Sequence, residues 1–269
     1  MNNMNETTTP EKKSKLPLVI GVSLSALILG GLLVFILQSN SLKNNEVVES
    51  SGSGNDNYTI EEVGGVDLRS LAPNLDREVQ FPANTPLEAQ AIMKKQIGDV
   101  AIRLKKDMNR ADDWFTLGVL YHSASDYEGA RDVWNFLAEV VPAPGVATVY
   151  ENLGKLYKYN LKDFPKSEMY LKKAMTADPK MISPYFELHE LYRYLYKTES
   201  TLAVDTLISA GAKFPENPDP YGLLGAYYRD RGDKVKALEV YTTALERARK
   251  AGNVTQIDGF GAEIEKLSN

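Results

Sequence analysis

The sequence predicts an all-α solenoid of helical hairpins, on three observations. First, one motif occurs four times, as Trp114-x₂-Leu117-Gly118-x₂-Tyr121, Tyr150-x₂-Leu153-Gly154-x₂-Tyr157, Tyr185-x₂-Leu188-His189-x₂-Tyr192 and Tyr221-x₂-Leu224-Gly225-x₂-Tyr228, at intervals of 35 or 36 residues. Second, offsets of 0, 3, 4 and 7 lie on one face of a helix, so each copy is a helix with a packing stripe. Third, a second helix follows each copy, marked by a small residue, a large apolar residue four later and, in three copies, a proline twelve after the small one. These are Ala130, Trp134 and Pro142; Ser167, Leu171 and Pro179; and Ala203, Leu207 and Pro215. The fourth copy has Ala237, Tyr241 and Ala244 without a closing proline.

This pattern resembles the tetratricopeptide repeat (TPR) family, W-x₂-L-G-x₂-Y…A-x₃-F…P over about 34 residues, and the resemblance covers about residues 111 to 250. It implies stacked helix pairs that bind a protein segment in a groove lined by the first helices. The aromatic-to-small spacing is 16 in the first and fourth copies, 17 in the second and 18 in the third. The extra residues are expected in the turn between the two helices, where insertion costs little. His189 replaces the small packing residue of the third copy, which predicts helices set slightly further apart there.

The hydrophobic share of 43% and charged share of 25% are those of a folded protein. The chain has no cysteine, which excludes disulfides, thiol nucleophiles and Cys-ligated zinc. Its net charge of −5 argues against general nucleic-acid binding. Neither His122 nor His189 has a carboxylate at metal-ligand spacing, and no phosphate-binding glycine loop or nucleophile elbow occurs. No catalytic residue, cofactor, metal or small-molecule substrate is therefore expected.

Residues 16 to 37, LPLVIGVSLSALILGGLLVFIL, carry no charge over 22 positions, about 33 Å of helix and enough to cross a bilayer core. A cleaved signal peptide competes with this reading, but the apolar run exceeds an h-region and no A-x-A-like site follows before Ser41. Lys12, Lys13 and Lys15 precede the span and Lys43 alone follows it near Glu46 and Glu49, which orients the N-terminus inside. The expected organisation is a cytoplasmic tail at 1–15, a transmembrane helix at 16–38, a flexible or irregular linker at 39–84 and the solenoid at 85–269. Within the linker, the Ser/Asn/Gly tether 39–57 has a reach of about 25 Å. Residues 58–84 regain apolar side chains without a period.

Thr85-Pro86-Leu87-Glu88 reads as a capping box opening a helix with Pro at its first position. Its stripe, from Ala89 to Met108, is expected to cover the N-terminal end of the array, because a first repeat with no neighbour leaves an apolar face wet. At the other end, Ile257, Phe260, Ile264 and Leu267 predict a short closing helix, weakened by Gly259 and Gly261.

By the resemblance, the free face lies one, five and eight residues past each lead aromatic. It carries Phe115, Val119 and His122; Glu151, Lys155 and Lys158; Phe186, Glu190 and Arg193; and Gly222, Ala226 and Arg229. The eighth-place ladder His122, Lys158, Arg193 and Arg229, with Tyr159 and Tyr194 beside it, suits an acidic peptide or a C-terminal carboxylate. These residues also sit in the last helical turn, where a cation complements the helix dipole whatever the protein does. Carboxylate-clamp members of the family place Lys and Asn on successive first helices. Asn152 and the later basic residues match that arrangement, whereas Phe115 and Val119 occupy its first places. The candidate groove is thus Phe115, His122, Asn152, Lys155, Lys158, Tyr159, Phe186, Arg193, Tyr194 and Arg229. The resemblance implies a membrane-tethered, extracytoplasmic adaptor or assembly subunit of a bacterial envelope complex. A self-associating scaffold without a peptide ligand is the alternative.

Overall fold

A computed structural model describes residues 68–269. The expected cytoplasmic tail, membrane span and tether lie outside the described residues, among which no helix is long and apolar enough to cross a membrane. The described chain is an all-α, TPR-like solenoid, and no strand occurs among the described residues.

After the short α1 (Leu68–Leu71), α2 (Leu87–Lys106) precedes the four hairpins. These are α3 (Ala111–Ser123) with α4 (Tyr127–Val140), and α5 (Val146–Tyr159) with α6 (Phe164–Ala177). The third is α7 (Ser183–Glu190) with α8 (Leu202–Lys213), and the fourth is α9 (Asp219–Asp230) with α10 (Lys234–Ala251). The closing helix α11 (Val254–Ser268) spans both Gly259 and Gly261. Its partly covered residues lie on one side and none is fully buried, as suits the last layer of an array.

The motif residues form the core. Trp114, Leu117, Tyr121, Leu153, Tyr157, Leu188, Tyr192 and Leu224 are all buried, and Trp114 Nε1 donates to Met108 O at 2.9 Å. The small residue lets the two helices of a hairpin meet. A Cβ at Gly118 would lie 2.2 Å from Trp134 Nε1, and one at Gly154 would lie 2.6 Å from Leu171 Cγ. No side chain fits at that distance unless the opposing one moves. The prolines 142, 179 and 215 stand just beyond the ends of α4, α6 and α8. With no such proline, α10 runs 18 residues against 14, 14 and 12, and stops at left-handed Gly252.

Three of the four inter-helix turns share a device absent from the sequence reading. Ser125, Lys162 and Gly232 take left-handed backbone, and each is followed by an N-cap aspartate. Asp126, Asp163 and Asp233 accept from the backbone N–H groups of Gly129, Lys166 and Lys236 at 2.9, 3.2 and 3.1 Å. The N–H of each cap in turn donates to the carbonyl of the motif's last tyrosine, Tyr121, Tyr157 or Tyr228.

The third hairpin departs from this. Its first helix continues beyond Glu190 as a π-helical turn, Leu191–Leu195, and its second starts at Thr201 without a side-chain cap. The expectation that extra residues enter only the loop is corrected here, since a π-turn takes up one more residue per turn inside the helix. His189 fills the packing position, buried, and its Nδ1–H donates to Ala203 O at 2.9 Å. Burial pushes its pKa down to about 4, assisted by the charges of Arg193 and Lys158 and opposed by the Ala203 bond and Glu190.

Two features of the N-terminal region differ from expectation. At α2, no side-chain cap bond forms at the N-cap, Pro86; instead Gln90 Nε2 donates to Thr85 O at 2.9 Å. Residues 72–84 are irregular, as their lack of a period implies, yet they pack on the first hairpin. Val79 is buried in the core, with Ala72, Leu75 and Phe81 against it. Arg77 grips the α4 cap, donating from Nε and Nη2 to Asp126 at 3.0 and 2.9 Å. The packed unit thus begins ahead of residue 85, and the irregular linker does not extend to residue 84 as free chain.

Candidate functional site

Contacts between consecutive first helices define the inner face of the array. His122 Nε2 lies 3.2 Å from Asn160 Oδ1. Lys158 Nζ donates to Glu187 O at 3.0 Å, to Glu187 Oε2 at 2.8 Å and to Glu190 Oε2 at 2.9 Å. Arg193 pairs with Asp230, and Arg229 Nη1 with Glu263 Oε2 at 2.6 Å. Every member of the eighth-place ladder therefore reaches forward to the next layer, spanning 29 to 38 residues of sequence.

Burial separates the members of these pairs. The Lys158 side chain is 1% exposed and that of Arg193 10%, whereas their partners Glu190 and Asp230 are each 45% exposed. These cations, besides sitting in the last helical turn, are bound by groups of the next layer. Lys158 is held by two carboxylates, a carbonyl and the Tyr159 ring, whose centroid is 4.6 Å from Nζ. Tyr159 Oη donates to both Glu187 Oε2 and Glu190 Oε2 at 2.9 Å. Burial, together with the two carboxylates, raises the Tyr159 phenol far above its ordinary value, so it stays a donor. Burial works to raise the Glu190 carboxyl, but Lys158 and the Tyr159 bond outweigh it and hold its pKa below the usual value.

The remaining candidates fall on or beside the same face. Phe115 is half-buried against the first core cluster. Asn152 and Phe186 are half-buried. Lys155 pairs with Glu151 of its own helix at 3.1 Å. His122 is half-buried with its ring edge-on to Tyr127 at 5.6 Å, and burial lowers its pKa below the usual imidazole value. Tyr194, on the π-turn, is 62% exposed, with the Arg193 guanidinium 4.9 Å from its ring centroid. Sequence reasoning missed Asp230 and Glu263 as partners. The available signal was that Asp230 directly follows the ladder residue Arg229.

The tetratricopeptide repeat family model matches residues 147–181, the second hairpin and the turn that follows it. No curated protein matches the chain. Among solved structures the chain is similar to MamA, at 19% identity over 62% of this chain and 98% of that one, with a TM-score of 0.44. It is also similar to YrrB, described as a TPR protein with an unusual peptide-binding site, at 16% identity over 63% and 84% with a TM-score of 0.44. A third is the TPR2AB domain of yeast Sti1 in complex with pHSP90, at 14% identity over 68% and 81% with a TM-score of 0.40. Likeness this distant carries no argument about function.

Proposed function

We propose that this chain is a membrane-tethered TPR interaction module, an adaptor or assembly subunit of a bacterial envelope complex. Residues 16–38 anchor it with the N-terminus inside. The solenoid stands outside the cytoplasmic membrane and takes an extended segment of a protein partner along its first helices. One observation carries the reading: α5, α7, α9 and α11 are tied in succession through Lys158, Arg193 and Arg229, which fixes Phe186 and Tyr194 before any ligand arrives. A pre-set surface binds without first being ordered. Acidity of the partner loses its support, because the ladder cations already have carboxylate partners.

The scaffold alternative draws on a different place. Leu87, Ile92 and Ile102 are exposed on α2, the helix preceding the first hairpin, and would meet a second copy end to end. One experiment separates the two. A photo-crosslinking residue is placed at Phe186, Tyr194 or Ile102 of the full chain in intact spheroplasts, and external protease is added after irradiation. Capture of a second protein from positions 186 and 194, in adducts that the protease digests, is the expected outcome. Self-adducts from position 102 alone replace the groove by the scaffold, and protected adducts place the solenoid inside the cell.

A further inference from the structure

The inner face offers a partner an excess of carboxylate at the α5–α7 contact, although the residues singled out by the sequence along it are cations. The reason is geometric. There and at Arg193–Asp230 the cation comes from the earlier helix and lies beneath, while a carboxylate from the later helix faces water; Arg229–Glu263 is the reverse, at 39% against 22% exposed, and Asp230 is held by both Arg193 and Arg229. Lys158 and Arg193 are 1% and 10% exposed, against 45% for both Glu190 and Asp230. At the α5–α7 contact the charge does not balance, since one lysine meets two carboxylates, Glu187 and Glu190. The hydrogen bonds from Lys158 and Tyr159 to Glu190 both fall on Oε2, so neither uses its Oε1. Just past these acids in sequence stands Tyr194, a ring 62% exposed that takes Arg193 against it at 4.9 Å. An exposed tyrosine beside a half-exposed carboxylate is the chemistry that receives a lysine or arginine side chain, whose head pairs with the acid while its stem or plane lies on the ring.

We propose that the partner segment is cationic, with a lysine or arginine side chain seated on Glu190 and against Tyr194. This rests on the groove reading and gives its ligand a sign. An acidic segment would meet Glu190 first, and to reach Lys158 it would have to displace carboxylates already bonded there. Like charges placed face to face exclude a partner as effectively as opposite charges select one.

The test uses the full chain in detergent and two fluorescent peptides of equal length, one alternating lysine with leucine and the other glutamate with leucine. Anisotropy at low salt should show the lysine peptide binding about ten-fold or more tighter than the glutamate peptide, with the difference shrinking as salt is raised. Glu190→Gln should weaken the lysine peptide by about two- to five-fold. Tyr194→Ala should weaken it too, while Glu246→Gln, an exposed acid on α10, changes nothing. Glu190→Gln leaves Lys158 bonded to Glu187, so this variant should keep the parent melting curve.

Tighter binding of the glutamate peptide, binding of neither peptide, or equal losses from Glu246→Gln and the groove variants overturns the proposal. The last result would mean general attraction to a chain of net charge −5. The sign and the groove can fail separately. A partner crosslinked at Phe186 and Tyr194 through an acidic stretch keeps the groove and removes the cationic ligand.

Discussion

In the second hairpin α5 meets α6 at Gly154, where a Cβ would come within 2.6 Å of Leu171; in the third, α7 meets α8 at His189, whose ring is buried and bonded to Ala203 O. The first contact works by leaving a side chain out, the second by putting one in whose hydrogen bond satisfies a carbonyl. The second hairpin turns through left-handed Lys162 into its aspartate cap, Asp163, whereas the third has a π-turn, left-handed Lys197 and an uncapped Thr201. One hairpin thus concentrates the departures from the repeat, and it is the one that carries Tyr194. Tyr194 faces solvent on a helix whose motif aromatics, Tyr185 and Tyr192, are core.

The largest expected effect strikes the joint between these two hairpins. Lys158→Glu would set three carboxylates together where one cation now holds two. Removing one partner of a buried pair costs about 3 to 5 kcal/mol when both charges are buried, and half-exposed Glu190 softens this to about 3. A melting temperature within a degree or two of the parent would show that the triad is not formed in solution. Next comes Gly154→Leu, which should cost about 1 to 3 kcal/mol by overpacking against Leu171. If denaturant melts show no more loss than for a surface leucine, the two hairpins do not differ as described.

The smallest effect concerns acidity. His189 has its pKa lowered from 6.5 to about 4, so between those values the unfolded chain binds a proton that the folded chain refuses. Its contribution to stability is present above pH 6.5 and is lost as pH falls toward 4, after which it is constant. His189→Gln should flatten the stability profile in that window, relative to the same substitution at half-buried His122. An unchanged slope would place the titration elsewhere.

Legibility followed periodicity. The helix pairs, their phase and their core were readable because Trp114, Leu153, Leu188 and Leu224 repeat at fixed offsets, and a fixed offset is a fixed side of a helix. The proline rule even accounted for the length of α10. The π-turn was not readable, since the 18-residue spacing announces extra residues without saying where the backbone absorbs them. Arg77 on Asp126 was hidden because an irregular segment has no period to follow. On the inner face the sequence located the cations but not their partners. Whether a cation there is a ligand contact or a structural one depends on how closely consecutive first helices lie, a distance set by packing.

The inter-repeat pairs also have a mechanical meaning. Apolar contacts are nearly indifferent to ionic strength, whereas Arg193–Asp230 and Arg229–Glu263 are partly exposed and are screened by salt. Consecutive layers are therefore held by two materials, an apolar core that runs on from one hairpin to the next and ion pairs along one edge. Flexing that opens this edge stretches the ion pairs first, so the solenoid is stiffer in dilute buffer than in brine, and the compliance enters from the side where a partner would lie.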